Sequence, residues 1–172
     1  KVIMLRYQEG SASTMNREQG FLDVLKEKCP GIEVVSANQY GRATTESAYL
    51  ASESLLSPLR TAGGGLTIDG IFCPNESTTF GMLRALEDGG LAGKVKYVGF
   101  DSSDRLVMGL RNGSIHGLVL QDPINMGYLG VKTIVAHLQG EQVQKRIDTG
   151  SAVATAENMS DPKMKNLLEP DF

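Results

Sequence analysis

The chain has 172 residues, enough for one domain with a real core or for one and a part. Hydrophobic residues make up 41% and charged residues 22%, the balance of a globular protein rather than a disordered or fibrous one. The net charge of -3 argues against a phosphate-driven nucleic-acid binder, and no apolar run approaches the roughly 18 residues of a membrane span.

Lys1-Val2-Ile3-Met4-Leu5 already reads as a buried strand, running on to Tyr7. A chain that opens on its first buried strand is expected to be a piece of a larger protein, with any export signal in the part ahead of it. A helix follows over about residues 14–28, with Phe21, Leu22, Leu25 and Cys29 on one face, and Pro30-Gly31 stops it. The second strand spans residues 32–37. A helix over about 44–56 buries Ala48, Ala51 and Leu55, and the Gly63-Gly64-Gly65 turn leads to a third strand at 68–73. The third helix runs from Glu76 to about Asp88 and ends at Gly89-Gly90.

The fourth strand covers residues 95–100, and a short helix over about 104–111 takes Ser102 or Ser103 as its cap. The fifth strand covers 115–120. Asp122-Pro123 is a helix start, a capping carboxylate before a proline at the first helical position. That helix sets Ile124, Tyr128, Val131, Val135 and Leu138 on one side and closes at Gly140. A further extended segment lies within 143–154, and the polar stretch from Ala156 opens a helical turn at Asp161-Pro162. Strands and helices alternate at βαβ spacing, which predicts an α/β fold: a parallel sheet with helices on both faces.

Little of this sequence supports catalysis. The loop after the first strand holds one glycine, Gly10, where a dinucleotide fingerprint needs three. Gly63-Gly64-Gly65 precedes a strand, so it is a turn rather than a phosphate cradle. Gly113-Ser114-Ile115-His116-Gly117 enters a strand and is no nucleophile elbow. His116 and His137 have no ligand spacing, so no metal site is expected; Cys29 and Cys73 are expected as free thiols. No cofactor is expected, and no catalytic acid–base pair stands out.

What remains is a polar set at strand ends. Arg17 lies in the first helix, Asn75 follows the third strand, Asp101 the fourth and Gln121 the fifth. In an open α/β sheet, ligands bind in the crevice outside these carboxyl ends. A guanidinium fork, a carboxylate and two amides together suit a polyol whose hydroxyls both donate and accept. Each residue alone has an ordinary reading as a solvated charge, a cap or a turn residue. Their placement on one edge favours a site.

Arg17-Glu-Gln-Gly-Phe21, Phe72-Cys-Pro-Asn-Glu76 with Gly81-Met-Leu-Arg-Ala-Leu86, Val98-Gly-Phe-Asp101 and Gln121-Asp-Pro-Ile-Asn-Met-Gly127 resemble, in this order, the periplasmic sugar-binding proteins of bacterial ABC transporters, most of all the ribose-binding type. Arg146-Ile-Asp-Thr-Gly150 with Glu157-Asn-Met159 is similar to the end of such proteins. The resemblance implies one lobe of a type I periplasmic binding protein, with flavodoxin-like strand order. Residues 1–156 would be the C-terminal sugar-binding lobe and 157–172 a terminal segment. It implies that Arg17, Asn75, Asp101 and Gln121 contact a monosaccharide, a ribose-like pentose being favoured, and that Tyr40 sits near the sugar or the hinge. It implies a second partner, the N-terminal lobe, against which the helix at 123–139 packs, and a third, the membrane permease. The location implied is periplasmic, or extracytoplasmic with a lipid anchor. The rival reading is the effector domain of a Lac-repressor-family regulator, which shares the fold and would carry a helix-turn-helix upstream.

Overall fold

Short apolar runs build the sheet, and each of the first four is followed by a helix that carries the chain back to start the next strand in parallel. The computed structural model describes residues 1–170. The strands are β1 (Val2–Arg6), β2 (Val34–Tyr40), β3 (Gly70–Phe72), β4 (Lys96–Phe100), β5 (Gly117–Leu120) and β6 (Ala152–Ala154). The helices are α1 (Ala12–Lys28), α2 (Thr45–Leu56), α3 (Glu76–Asp88), α4 (Asp104–Arg111), α5 (Pro123–Leu138) and α6 (Pro162–Leu168). The order across the sheet is β2-β1-β3-β4-β5-β6, so its first five strands have the expected flavodoxin-like order.

The sheet is not parallel throughout. β6 runs antiparallel to β5, pairing Leu118 with Ala154 and Leu120 with Ala152. The chain leaves β5 at its carboxyl end and returns at that same end, without a crossover over a face, so it can only enter running the opposite way.

The register separates the faces. Ile3, Ile71 and Tyr97 stand in line, and with Leu5, Cys73 and Leu118 they meet Met82, Leu83 and Leu86 of α3 and Leu106 and Leu110 of α4 in one core. Close approach makes this layer tight. A side chain at Gly81 would lie 2.7 Å from the Ala48 Cβ, so glycine lets α3 press on α2. A side chain at Gly99 would lie 2.1 Å from Thr79, so glycine lets α3 seat on β4.

The other face carries Met4, Phe72, Val98, Phe100 and Val119. α1 lies there, with Phe21 stacked on Phe72 at 4.5 Å between ring centroids. Phe21, Leu22, Leu25 and Cys29, expected as the buried face of α1, are only half-buried; its buried residues are Thr14 and Glu18. The helix is buried most deeply in its first turns, where the Glu18 carboxylate accepts the Tyr7 N–H at the end of β1.

α5 departs most from burial. The Asp122 carboxylate accepts the Asn125 N–H at 2.9 Å, as the Asp-Pro start predicts. Yet α5 has no buried residue and packs on neither face of the sheet. Its apolar seam lies open, with Tyr128 62%, Val131 66% and Leu138 79% exposed. The terminal segment differs in the opposite sense. Although polar in composition, it packs: Leu168 is 5% exposed, and Met159, Met164 and Leu167 lie against the core. The last two residues of the 157–172 segment lie outside those described.

His116 has a structural part, its Nδ1 accepting the Tyr97 N–H at 3.2 Å. Cys29 and Cys73 are both free. No helix among the described residues is long and apolar enough to cross a membrane.

Candidate functional site

The carboxyl edge of the sheet gathers four of the five residues expected there. The first turn of α3 is anchored by two buried threonines. Thr79 donates to the Asn75 carbonyl at 2.7 Å, accepts the Phe100 N–H at 3.0 Å, and receives the Tyr97 hydroxyl on its own carbonyl at 2.7 Å. Thr78 donates to the Asn75 side-chain oxygen at 2.6 Å. The end of β3 is thereby fixed beside the end of β4, and Asn75 is held rigidly at the N-terminus of α3.

Arg17 reaches this point from α1. Its guanidinium carbon sits 3.8 Å from the centroid of the Phe100 ring, and its NH1 donates to the Pro74 carbonyl at 2.9 Å. Partial burial lowers its pKa from the ordinary value, with the charge of Asp101 pulling the other way. Arg17 therefore bridges two strand ends, and among the described residues the other donors of its fork make no hydrogen bond.

Asp101 has φ of +65°, the left-handed region that a non-glycine residue enters only where its surroundings hold it. Its N–H is tied to the Val119 carbonyl at 2.8 Å, and its carboxylate accepts the Gln121 amide at 2.7 Å. Arg17 on α1 thus lies over Phe100, the residue before Asp101, and Asp101 is bonded to Gln121 just after β5, with Asn75 one residue beyond Pro74. The sequence singled out all four. It carried no signal for the Phe100 ring beneath Arg17, because that contact depends on how α1 crosses the sheet.

Tyr40 is apart from this cluster, at the end of the edge strand β2. Its hydroxyl is 3.5 Å from the Arg6 guanidinium, which also donates to the Ala37 carbonyl at 2.7 Å. A cavity of about 810 Å3 opens next to Asp101 and Gln121, with Glu76, Ser102 and Met126 around it and Leu167 of α6 as one wall. Arg17 and Asn75 are not among its lining residues. The Ser102 hydroxyl ties this wall to the Asp101 loop by donating to the Leu167 carbonyl at 3.3 Å. Among the described residues, the Ser103 hydroxyl, also at the cavity, is the buried side-chain oxygen without a hydrogen-bond partner. The sequence marked the start of α6 at Asp161-Pro162, but not that its Leu167 would wall a cavity. Among the described residues no group of acidic, histidine or cysteine side chains could hold a metal ion.

A family model described as a periplasmic binding protein domain matches residues 1–142. The ribose import binding protein of Haemophilus influenzae is 29% identical over 147 residues, 86% of this chain and 47% of that protein. A carbohydrate transporter solute binding protein from Agrobacterium radiobacter, solved in complex with D-arabinose, is 36% identical with a TM-score of 0.88, over 98% of this chain and 55% of that one. An ABC transporter solute binding protein from Agrobacterium vitis with bound D-fucose is 32% identical with a TM-score of 0.85, over 97% of this chain and 55% of that one. The chain spans about half the length of the relatives it matches.

Proposed function

The chain belongs to the periplasmic binding protein domain family, and on that premise we propose that it is the sugar-binding C-terminal lobe of an ABC transporter's solute-binding component. The observation that carries this reading is the polar set at the sheet's carboxyl edge: Arg17 bonded to the Pro74 carbonyl beside Asn75 and lying over the Phe100 ring, with Asp101, one residue on, bonded to Gln121. It sets a cation, a carboxylate and two amides beside an aromatic ring, and the carboxylate is engaged by the Gln121 amide. Such a set offers donors and acceptors to the hydroxyls of a polyol. Charged partners strengthen each hydrogen bond to a ligand hydroxyl to about 1.5–3 kcal/mol.

In this reading Arg17 and Asn75 hold one side of a monosaccharide, Asp101 and Gln121 the other, and Tyr40 stands near the hinge. The N-terminal lobe supplies the opposite wall and covers the apolar seam of α5, whose exposure is what a helix built for another body looks like. The lobes close on the sugar by hinge motion, and the closed form is what the permease recognises. The place of action is the periplasm, or the outer side of the cytoplasmic membrane. The named relatives are solute-binding proteins of transporters, which favours transport over the regulator reading and over an enzyme.

Calorimetric titration of the complete protein against D-ribose, D-arabinose, D-fucose and D-galactose tests this. One sugar is expected to bind tightly, and Arg17→Ala or Asp101→Ala to weaken it by about ten- to a hundredfold, the loss of one charged hydrogen bond. Binding that survives both substitutions unchanged would sink the site assignment; silence across the panel would sink the sugar.

A further inference from the structure

Glu18 is the one charged side chain that is buried among the described residues, 2% exposed on a helix whose apolar face is only half-covered. A carboxylate is seldom buried unless it is paired, and this one is paired twice. Its Oε1 accepts the Tyr7 N–H at 3.1 Å, at the point where β1 ends, and its Oε2 lies 3.4 Å from the Arg6 guanidinium. Arg6 continues the network, donating through Nε to the Ala37 carbonyl at 2.7 Å and lying 5.7 Å from the centroid of the Tyr40 ring. Glu18 is also the next residue after Arg17 on α1. One ion pair, its carboxylate buried and its guanidinium half-buried, thus locks the first turns of α1 to the ends of β1 and β2, with Arg17 at one extremity and Tyr40 at the other.

We propose that Glu18, acting through Arg6, is a positioning residue that sets where the Arg17 guanidinium and the Tyr40 ring stand at the sheet's carboxyl edge, a role that rests on the sugar-binding reading of that edge. Stability alone does not account for the pair. A buried ion pair gains little over apolar side chains of similar volume, because desolvation of both charges offsets most of their attraction. What it supplies is direction. The carboxylate has two fixed partners and the guanidinium is a rigid fork, so α1 can neither rotate nor slide along β1 without breaking a bond. Apolar contacts between Phe21 and Phe72 allow such sliding; the ion pair does not. A guanidinium must meet ligand oxygens within a few tenths of an ångström, so that restraint matters most for the neighbouring Arg17.

The test uses the complete protein with two variants, Glu18→Gln and the apolar double variant Arg6→Met/Glu18→Leu, which keeps the fold if the single change does not. Melting temperature, titration with D-arabinose and D-ribose, and the NMR position of the Arg17 side-chain N–H are measured together. That resonance reports geometry directly, because the guanidinium lies over the Phe100 ring current. The double variant is expected to melt close to the parent, yet to lose the ring-shifted Arg17 signal and to bind about tenfold more weakly. A merely structural role would leave the signal in place wherever the fold survives. An unchanged Arg17 signal in a folded variant, or unchanged affinity where the parent binds, overturns the proposal. If the parent binds neither sugar, the reading of these two sugars as ligands fails, and the Arg17 signal by itself decides the positioning role.

Discussion

α3 and α5 start alike and end up opposite. Each follows a strand of the same sheet, each begins beside a polar residue of the candidate site, and each carries a helical apolar stripe. α3 is the more polar of the two, yet it buries Met82, Leu83, Ala85 and Leu86. α5, with its isoleucines, valines, leucines and tyrosine, buries nothing. An apolar stripe says that a helix is meant to be covered; it does not say by what. α3 has its neighbours within these residues, two glycines letting it press close. In the proposed reading the cover for α5 is an N-terminal lobe, in keeping with relatives about twice this length.

The contrast can be attacked from both sides. On the buried side, Leu86→Ala should cost about 2–5 kcal/mol, the transfer loss plus a cavity that α2 and β3 cannot close, read from urea unfolding. The same side has a titration signature. Burial pushes the Cys73 thiol up to about 12 and raises Tyr97 well above the ordinary tyrosine value. Both groups therefore hold protons in the folded protein that the unfolded chain releases. Their contribution is complete below the unfolded cysteine value of about 8.5 and is lost as pH climbs towards 12. Unfolding measured from pH 8 to 11 should show stability falling, and less steeply in Cys73→Ala.

The helix starts sharpen the comparison. The Asn75 side chain is bonded to Ser77 and Thr78, so Asn75→Ala should cost about 1 kcal/mol of stability as well as ligand affinity. Among the described residues the Gln121 side chain hydrogen-bonds only Asp101, so Gln121→Ala should lower affinity and leave the melting curve nearly where it was. The smallest effect is expected at the far end of α5. Leu138→Ser in this chain should move stability by no more than about 0.5 kcal/mol, while reducing self-association seen by light scattering. A larger loss would mean that α5 is packed after all.

The strand ends were legible because a strand reads locally: a few apolar residues, then a polar one, then a helix start. Asn75, Asp101 and Gln121 all fell out of that pattern, and Arg17 followed from its place in the next helix. What could not be read was which helix touches which strand. The leucines of α1 promised a buried face, but Thr14 and Glu18 took it, because the helix meets the sheet at its first turns. The antiparallel return of β6 and the packing of α6 were hidden for the same reason. Each depends on contacts between residues far apart in the chain, where local propensity has little to say.

The pairing of Leu120 with Ala152 has a consequence for topology. The chain departs beside the place where it comes back, so the stretch between them is a closed excursion from a finished sheet. Cutting out residues 123–150 and joining the two sides by a tight turn would leave every strand pair intact. The lobe could then be made as a hairpin-sealed module, shorter and without its sticky helix, on which the site edge could be studied by itself.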